Sequence, residues 1–187
     1  MPRGGESLMD AELTASSAAS VQRVRRPFWF LLGFVTIPLI VLDQVSKIYV
    51  SGHMLLYDNI TLIPNYLDIT FTKNPGAAFS MFATMTPSLR IGLLISLISV
   101  AVVVLLVMLA QCDRINVTSF AYSLILAGAA GNLIDRALRG FEVIDFIRAH
   151  YYDYNWPVFN VADSAITIGV ALIVIATLFF REAETKS

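Results

Sequence analysis

Residues 91–110 read IGLLISLISVAVVVLLVMLA, a run with no charge in which Ser96 and Ser99 carry the only hydroxyls. A helix rising about 1.5 Å per residue needs ~20 apolar residues to cross a hydrocarbon core of about 30 Å. A helix on the surface of a soluble domain would show a polar face, and this run has none. It is a membrane span, extending to Leu89–Ala110. Three further segments meet the same criterion: Phe28–Val50, Val117–Leu138 and Val161–Phe180. The composition agrees, with 57% hydrophobic and only 14% charged residues and a mean hydropathy of +0.70. Soluble domains are about half apolar and a quarter charged.

The expected fold is an α-helical membrane protein of four transmembrane helices with a small extracytoplasmic β-sheet. Its parts are a disordered cytoplasmic tail over 1–26, a four-span domain over 27–181 and a cytoplasmic C-terminal tail over 182–187. The tail is polar and rich in small residues, and it ends in Arg23, Arg25 and Arg26. Basic residues beside a first span hold that end in the cytoplasm. Alternation then puts 51–88 and 139–160 outside and the short turn 111–116 inside. The arginines and the apolar run after them resemble a cleaved signal peptide, but no A-x-A site follows, and the run continues into Asp43, Gln44, Ser46 and Lys47. The span is read as uncleaved.

The outer segments, 53–86 and 139–160, carry strand patterns. Leu67, Ile69 and Phe71 alternate with Asp68, Thr70 and Thr72, the period of a half-buried strand. Ile60-Thr-Leu62 precedes a Pro64-Asn65 turn and is expected to pair with that strand as a hairpin. Val143-Ile-Asp-Phe-Ile147 is a further short strand, and Phe79, Phe82 and Met85 suit an interfacial stretch. Within the third span, Ala127-Gly-Ala-Ala-Gly131 favours close helix approach.

A net charge of −1 argues against a nucleic-acid binder, which needs surplus cations to displace phosphate counterions. Cys112 is the only cysteine, so no internal disulfide and no thiolate metal centre is expected. Leu109-Ala-Gln-Cys112 has the look of a lipidation box but lies at the inner end of its span. His53 and His150 lack the i, i+4 spacing of a helical metal pair and are read as interfacial or loop residues. No metal and no cofactor is expected.

Where the polar residues fall at membrane depth is more informative. Asp43 and Lys47 stand one turn apart near the outer end of the first span. Asn132, Asp135 and Arg136 share a face at the outer end of the third span. Asn160 and Asp163 open the fourth span, with Thr167 a turn deeper, while Asn74 and Asp145 lie in the outer segments. Each has an ordinary explanation alone: Asn160 and Asp163 as a helix cap, Asp135 with Arg136 or Asp43 with Lys47 as an ion pair, and Asn74-Pro-Gly76 as a turn. Three spans supplying one layer is a different matter, because charge at such depth is costly and marks a functional site. Membrane acids serve proteases and also proton-coupled transporters, and a scaffold with ion-paired helix ends is a third reading. Against transport, no ionisable residue lies in the inner half of any span.

Five stretches together resemble the lipoprotein signal peptidases (signal peptidase II), a family of bacterial intramembrane aspartyl peptidases. They are Asp43-Gln-Val-Ser-Lys47, Thr72-Lys-Asn-Pro-Gly-Ala-Ala-Phe79, Gly131-Asn-Leu-Ile-Asp-Arg136, Val143-Ile-Asp-Phe146 and Phe159-Asn-Val-Ala-Asp-Ser164. They occur in the family's order over roughly Phe28 to Phe180. Ile144, where the family usually has Val, is a conservative departure. The resemblance implies Asp145 and Asp163 as the catalytic pair. Asp135 is the rival first acid when the local sequence alone is considered. Asn74, Gly76, Asn132, Asp135, Arg136 and Asn160 are implied as substrate-binding or site-supporting, and Asp43 and Lys47 as structural support.

The implied substrate is a prolipoprotein already bearing diacylglycerol, cut before the lipidated cysteine. Membrane lipid is the other implied partner, and a monomer in the bacterial cytoplasmic (inner) membrane is expected, with its site near the outer face. The residue types suit the chemistry. Two carboxylates about 3 Å apart cannot both ionise comfortably, so they share a proton: one accepts a proton from water while the other donates. The pair titrates as a unit, so the acid and base roles are not separately assigned.

Overall fold

The computed structural model of the protein describes residues 27–76 and 86–179. The two tails and Phe79, Phe82 and Met85 lie outside the described residues. Among the described residues, four helices are long and apolar enough to cross a membrane. Helix α1 runs Pro27–His53, α2 Pro87–Ala110, α3 Val117–Leu138 and α4 Val161–Phe179. The third span has its expected bounds. The first carries on three residues beyond Val50, so His53 closes a helix instead of opening an outer segment.

Local sequence explains the helix ends and one irregularity. Asn116 caps α3 through a reciprocal pair of bonds with Ser119, and Pro87 opens α2, where its missing N–H costs nothing. Within α1, Leu32–Thr36 is wound as a π-helix just before Pro38. The proline ring clashes with the carbonyl four residues earlier and offers no donor to it, and the wider turn accommodates both effects.

Helix α3 is the most enclosed of the four, and its small residues are the reason. A Cβ at Gly128 would collide with the Ala162 carbonyl oxygen of α4, and one at Gly131 would lie 2.7 Å from Asp43 Oδ2 of α1. Outward faces are apolar and exposed: Val41, Val45 and Ile48 on α1, Val100, Val103 and Val107 on α2, Ile168 and Val174 on α4. In water this would be a liability, and in lipid it is the required surface. One buried apolar cluster, Leu31 with Leu109 and Leu126, ties α1, α2 and α3 together away from the polar layer.

The sheet comprises β1 (Asn59–Ile63), β2 (Leu67–Asn74), β3 (Val143–Tyr151) and β4 (Tyr154–Asn155), antiparallel in the order β1-β2-β3-β4. The expected hairpin forms, with Asn65 in the left-handed conformation at its turn. Strand β3 continues four residues past Ile147 and β4 is additional, because turn residues Tyr152 and Asp153 fold the chain straight back. Val50, Phe71, Ile144 and Phe146 form the cluster that seats the sheet on the ends of the helices. Burying each such side chain stabilises the fold by about 2 kcal/mol.

Register places the site. Ile69 pairs with Ile147 and Thr72 with Asp145, so β2 spends one residue more than β3 over this interval. That bulge puts Thr72 directly opposite Asp145, and Asn74, two residues on, becomes its diagonal neighbour on the same face.

Candidate active site

Two acids from different elements, a strand and a helix, open on one cavity of about 520 Å³, lined by Asn74, Asp145, Trp156, Pro157, Val158, Phe159, Asp163, Ser164, Thr167 and Ile168. Asp145 comes from β3 and is 3% exposed. Asp163 sits in the first turn of α4, where the helix dipole favours a negative charge.

Amide side chains hold both carboxyls. Asn74 Nδ2 donates to Asp145 Oδ2 at 3.0 Å and Asn160 Nδ2 to Asp145 Oδ1 at 2.7 Å. Asn132 Nδ2 donates to Asp163 Oδ1 at 2.8 Å, and the Asn160 backbone N–H donates to Asp163 Oδ2 at 3.1 Å. Asn160 Oδ1 in turn accepts from the Asp163 N–H at 2.9 Å. The Asn160–Asp163 spacing is thus a genuine helix cap and also part of the acid site. One fully buried residue, Asn160, bridges the two acids.

Burial pushes the Asp145 carboxyl up to about 6, and the neighbouring charge of Asp163 adds to this, while the bonds from Asn74 and Asn160 act in the opposite direction. A carboxyl in this condition keeps its proton well above the usual range.

Asp135, the rival first acid, is turned elsewhere. It is fully buried and pairs with Lys47 at 3.0 Å and with Arg139. It also accepts from Gln44 Nε2 at 2.9 Å and the Ile144 N–H at 3.1 Å, and it does not line the cavity. Asp43 and Lys47 form a buried ion pair at 2.8 Å. The second Asp43 oxygen accepts the Ala162 N–H at 2.9 Å, which ties α1 to the start of α4. Arg136 donates to the Asn132 carbonyl at 3.2 Å, and its charge faces both Asp145 and Asp163.

Gly76 follows the cavity-lining Asn74, whose Oδ1 accepts its N–H at 2.9 Å. With φ +82 and a would-be Cβ 2.5 Å from Leu94 Cδ1, any other residue here would be strained and would have to displace that leucine tip.

Sequence reasoning passed over Gln44 and Arg139 as members of the network around Asp135, although Arg139 stands one turn beyond Asp135, a spacing that signals a pair. It also passed over the apolar wall Trp156–Phe159, which has no periodicity to betray it. His53 stacks on Tyr49, and His150 lies 3.3 Å from Asp68 on the sheet, away from the acid pair.

A bundle of four apolar helices with an acid-bearing cavity beneath a small sheet defines a multi-pass membrane enzyme. Two solved bacterial membrane enzymes have this fold. One, at 2.3 Å resolution, superposes with a TM-score of 0.69 at 33% identity, covering 81% of this chain and 88% of its own. The other, at 1.9 Å, also gives 0.69, at 34% identity over 77% and 90% of the two chains. The profile of the family described as signal peptidase (SPase) II matches residues 35–179, and the chain belongs to that family. The lipoprotein signal peptidase of Geobacter sulfurreducens is 39% identical over 162 residues, 87% of this chain and 99% of that protein. The Staphylococcus carnosus enzyme of the same name is 38% identical over 83% and 96%. The chain is therefore a protease of the bacterial inner membrane, and the transporter and scaffold readings fall away.

Proposed function

We propose that this chain removes signal peptides from prolipoproteins that already carry diacylglycerol, cutting before the lipidated cysteine by means of a water activated between Asp145 and Asp163. The observation that carries this reading is the opening of both acids on one cavity, with Asn160 in contact with each. With one proton on the pair, the ionised carboxylate draws a proton from water as it attacks the scissile carbonyl. The protonated partner donates to the carbonyl oxygen and, as the tetrahedral intermediate collapses, a carboxyl returns a proton to the leaving amine. Asp145, whose carboxyl burial pushes up to about 6, is suited to hold the shared proton in the resting enzyme.

Asn74 and Arg136 border the acids and supply donors for the substrate backbone. The Arg136 Nε is buried with no hydrogen-bond partner among the described residues. Trp156, Pro157, Val158, Phe159 and Ile168 give the cavity an apolar wall suited to a lipidated peptide. The arginines at 23, 25 and 26 put the N-terminus in the cytoplasm and the acid pair near the outer face, where a diacylated cysteine reaches it from the headgroup layer. All of these groups come from one chain, so a monomer suffices.

The test is cleavage of a purified diacylated precursor. Asp145→Asn and Asp163→Asn should each lose at least ~10³-fold in rate while remaining folded, as expected when either member of a proton-sharing pair is removed. Turnover by either variant within tenfold of the parent refutes the assignment.

A further inference from the structure

Lys47 is fully buried in α1, out of reach of the cavity, and its pairing with Asp43 and Asp135 gives it the look of a structural cation. Its third contact says more. Lys47 Nζ donates to Asn132 Oδ1 at 3.2 Å, and the other end of that same amide, Asn132 Nδ2, donates to Asp163 Oδ1 at 2.8 Å. An ammonium has three donors and no acceptor, so the Asn132 atom facing Lys47 has to be the oxygen. The end facing Asp163 is then the NH₂, which favours the ionised carboxylate.

The other donor near that oxygen is Asn160 Nδ2, at 3.3 Å. Its two hydrogens already have Asp145 Oδ1 at 2.7 Å and the Ile144 carbonyl at 3.2 Å, and the contact to Asn132 is the longest of the three. The three hydrogens of Lys47, by contrast, match three acceptors: Asp43 Oδ2, Asp135 Oδ2 and Asn132 Oδ1. Of these two donors, Lys47 is the one with a hydrogen not shared with a closer acceptor, at 3.2 Å from Asn132 Oδ1.

We infer that Lys47 is a positioning residue for proteolysis, acting through the Asn132 amide to keep a hydrogen-bond donor on Asp163. Without it the amide is free to turn over and point its oxygen at Asp163, which sets two acceptors against each other or holds a proton on the carboxyl that should take one from water. The buried Asp43–Lys47–Asp135 group thus orients the catalytic pair as well as joining α1 to α3. This inference rests on the assignment of Asp163 to the dyad.

The experiment is a double-mutant cycle on the full chain, with Lys47→Met, Asn132→Ala and the two combined, following cleavage of a diacylated precursor and thermal melting in detergent. Misplacement of a reacting group by about 1 Å costs roughly 10²-fold. Each single variant is therefore expected to lose kcat on that order, with KM changed less than about threefold, and the double variant to be no slower than Asn132→Ala alone. If Lys47→Met leaves too little folded protein, Asp43→Asn/Lys47→Met takes its place in the cycle, since it removes the opposite charge together with the cation. Multiplicative losses in the double variant, or a folded Lys47 variant with parental kcat, overturn the inference. In that event the dyad assignment still stands if Asp145→Asn and Asp163→Asn are inactive, so the two failures are distinguishable.

Discussion

Asparagine does most of the work around the two acids, and its neutrality is the reason. A third charge at Asn74, Asn132 or Asn160 would either repel the carboxylates or neutralise them permanently, whereas an amide donates hydrogen bonds and, in the proposed mechanism, leaves a shared proton free to move. The balance on Asp145 has a consequence in pH. Burial and the charge of Asp163 hold its proton up to about 6, while Asn74, Asn160 and the cation of Lys47 favour release; the Arg136 charge also faces it. If the protonated carboxyl is the form that donates, kcat/KM should fall on the alkaline side with a midpoint near 6. Asn74→Ala removes a bond that stabilises the ionised form, so that midpoint should move to higher pH. A pH–rate profile of parent and variant between about 4 and 9 checks both, and a midpoint that stays put in the variant removes Asn74 from the electrostatics.

Helices and strands differ in how openly the sequence announced them. The spans could be read directly because lipid demands a long apolar run, and α3 came out with the expected bounds. The β1–β2 hairpin was readable from alternation and the turn at Pro64-Asn65. What alternation does not contain is the bulge between Ile69 and Thr72 that brings Asn74 onto the face of Asp145, because an extra residue leaves the apolar pattern nearly unchanged. The site was visible as a layer of polar residues, but local sequence without the family resemblance did not say which acid approaches Asp163. Local sequence alone left Asp135 and Asp145 as rivals and the family resemblance favoured Asp145; in the structure Asp135 is taken up by ion pairs with Lys47 and Arg139, while Asp145 lines the cavity with Asp163. Glycines make the corresponding point for packing, since two of the same type on neighbouring spans carry different weight. Gly131→Ala drives a methyl to 2.7 Å from the Asp43 carboxylate, whereas Gly92 in α2 has nothing within 4 Å. Overpacking costs about 1–3 kcal/mol, so Gly131→Ala should lower the melting temperature in detergent by several degrees and impair cleavage, with Gly92→Ala neutral in both. Equal melting temperatures for the two would show that α1 and α3 yield there at little cost.

The molecule as a whole is asymmetric along its long axis. Acids, amides and sheet gather at one end of the helices, and the other end holds the Leu31–Leu109–Leu126 cluster and the short α2–α3 turn. Such polarity matters only if the chain is inserted in one direction, and the charges that would fix it are few. Basic residues are divided almost evenly between the two sides, so orientation depends on where they stand more than on how many there are. Arg23, Arg25 and Arg26 lie immediately before α1, where a positive cluster most strongly resists translocation, and the proposed orientation has them outweigh the scattered cations of the sheet. The chain carries its own reporter of the result. Cys112 is the only thiol, and it lies in the α2–α3 turn at the end remote from Asp145. Its Sγ donates to the Met108 carbonyl at 3.3 Å, and it is partly exposed. A membrane-impermeant maleimide should therefore label inside-out vesicles and leave right-side-out cells unmodified, while a cysteine placed at Asn65 in the β1–β2 turn, in a chain lacking Cys112, should give the opposite pattern. Labelling of Cys112 from outside would put the acid pair on the cytoplasmic side, where a translocated, lipidated precursor does not present its cleavage site.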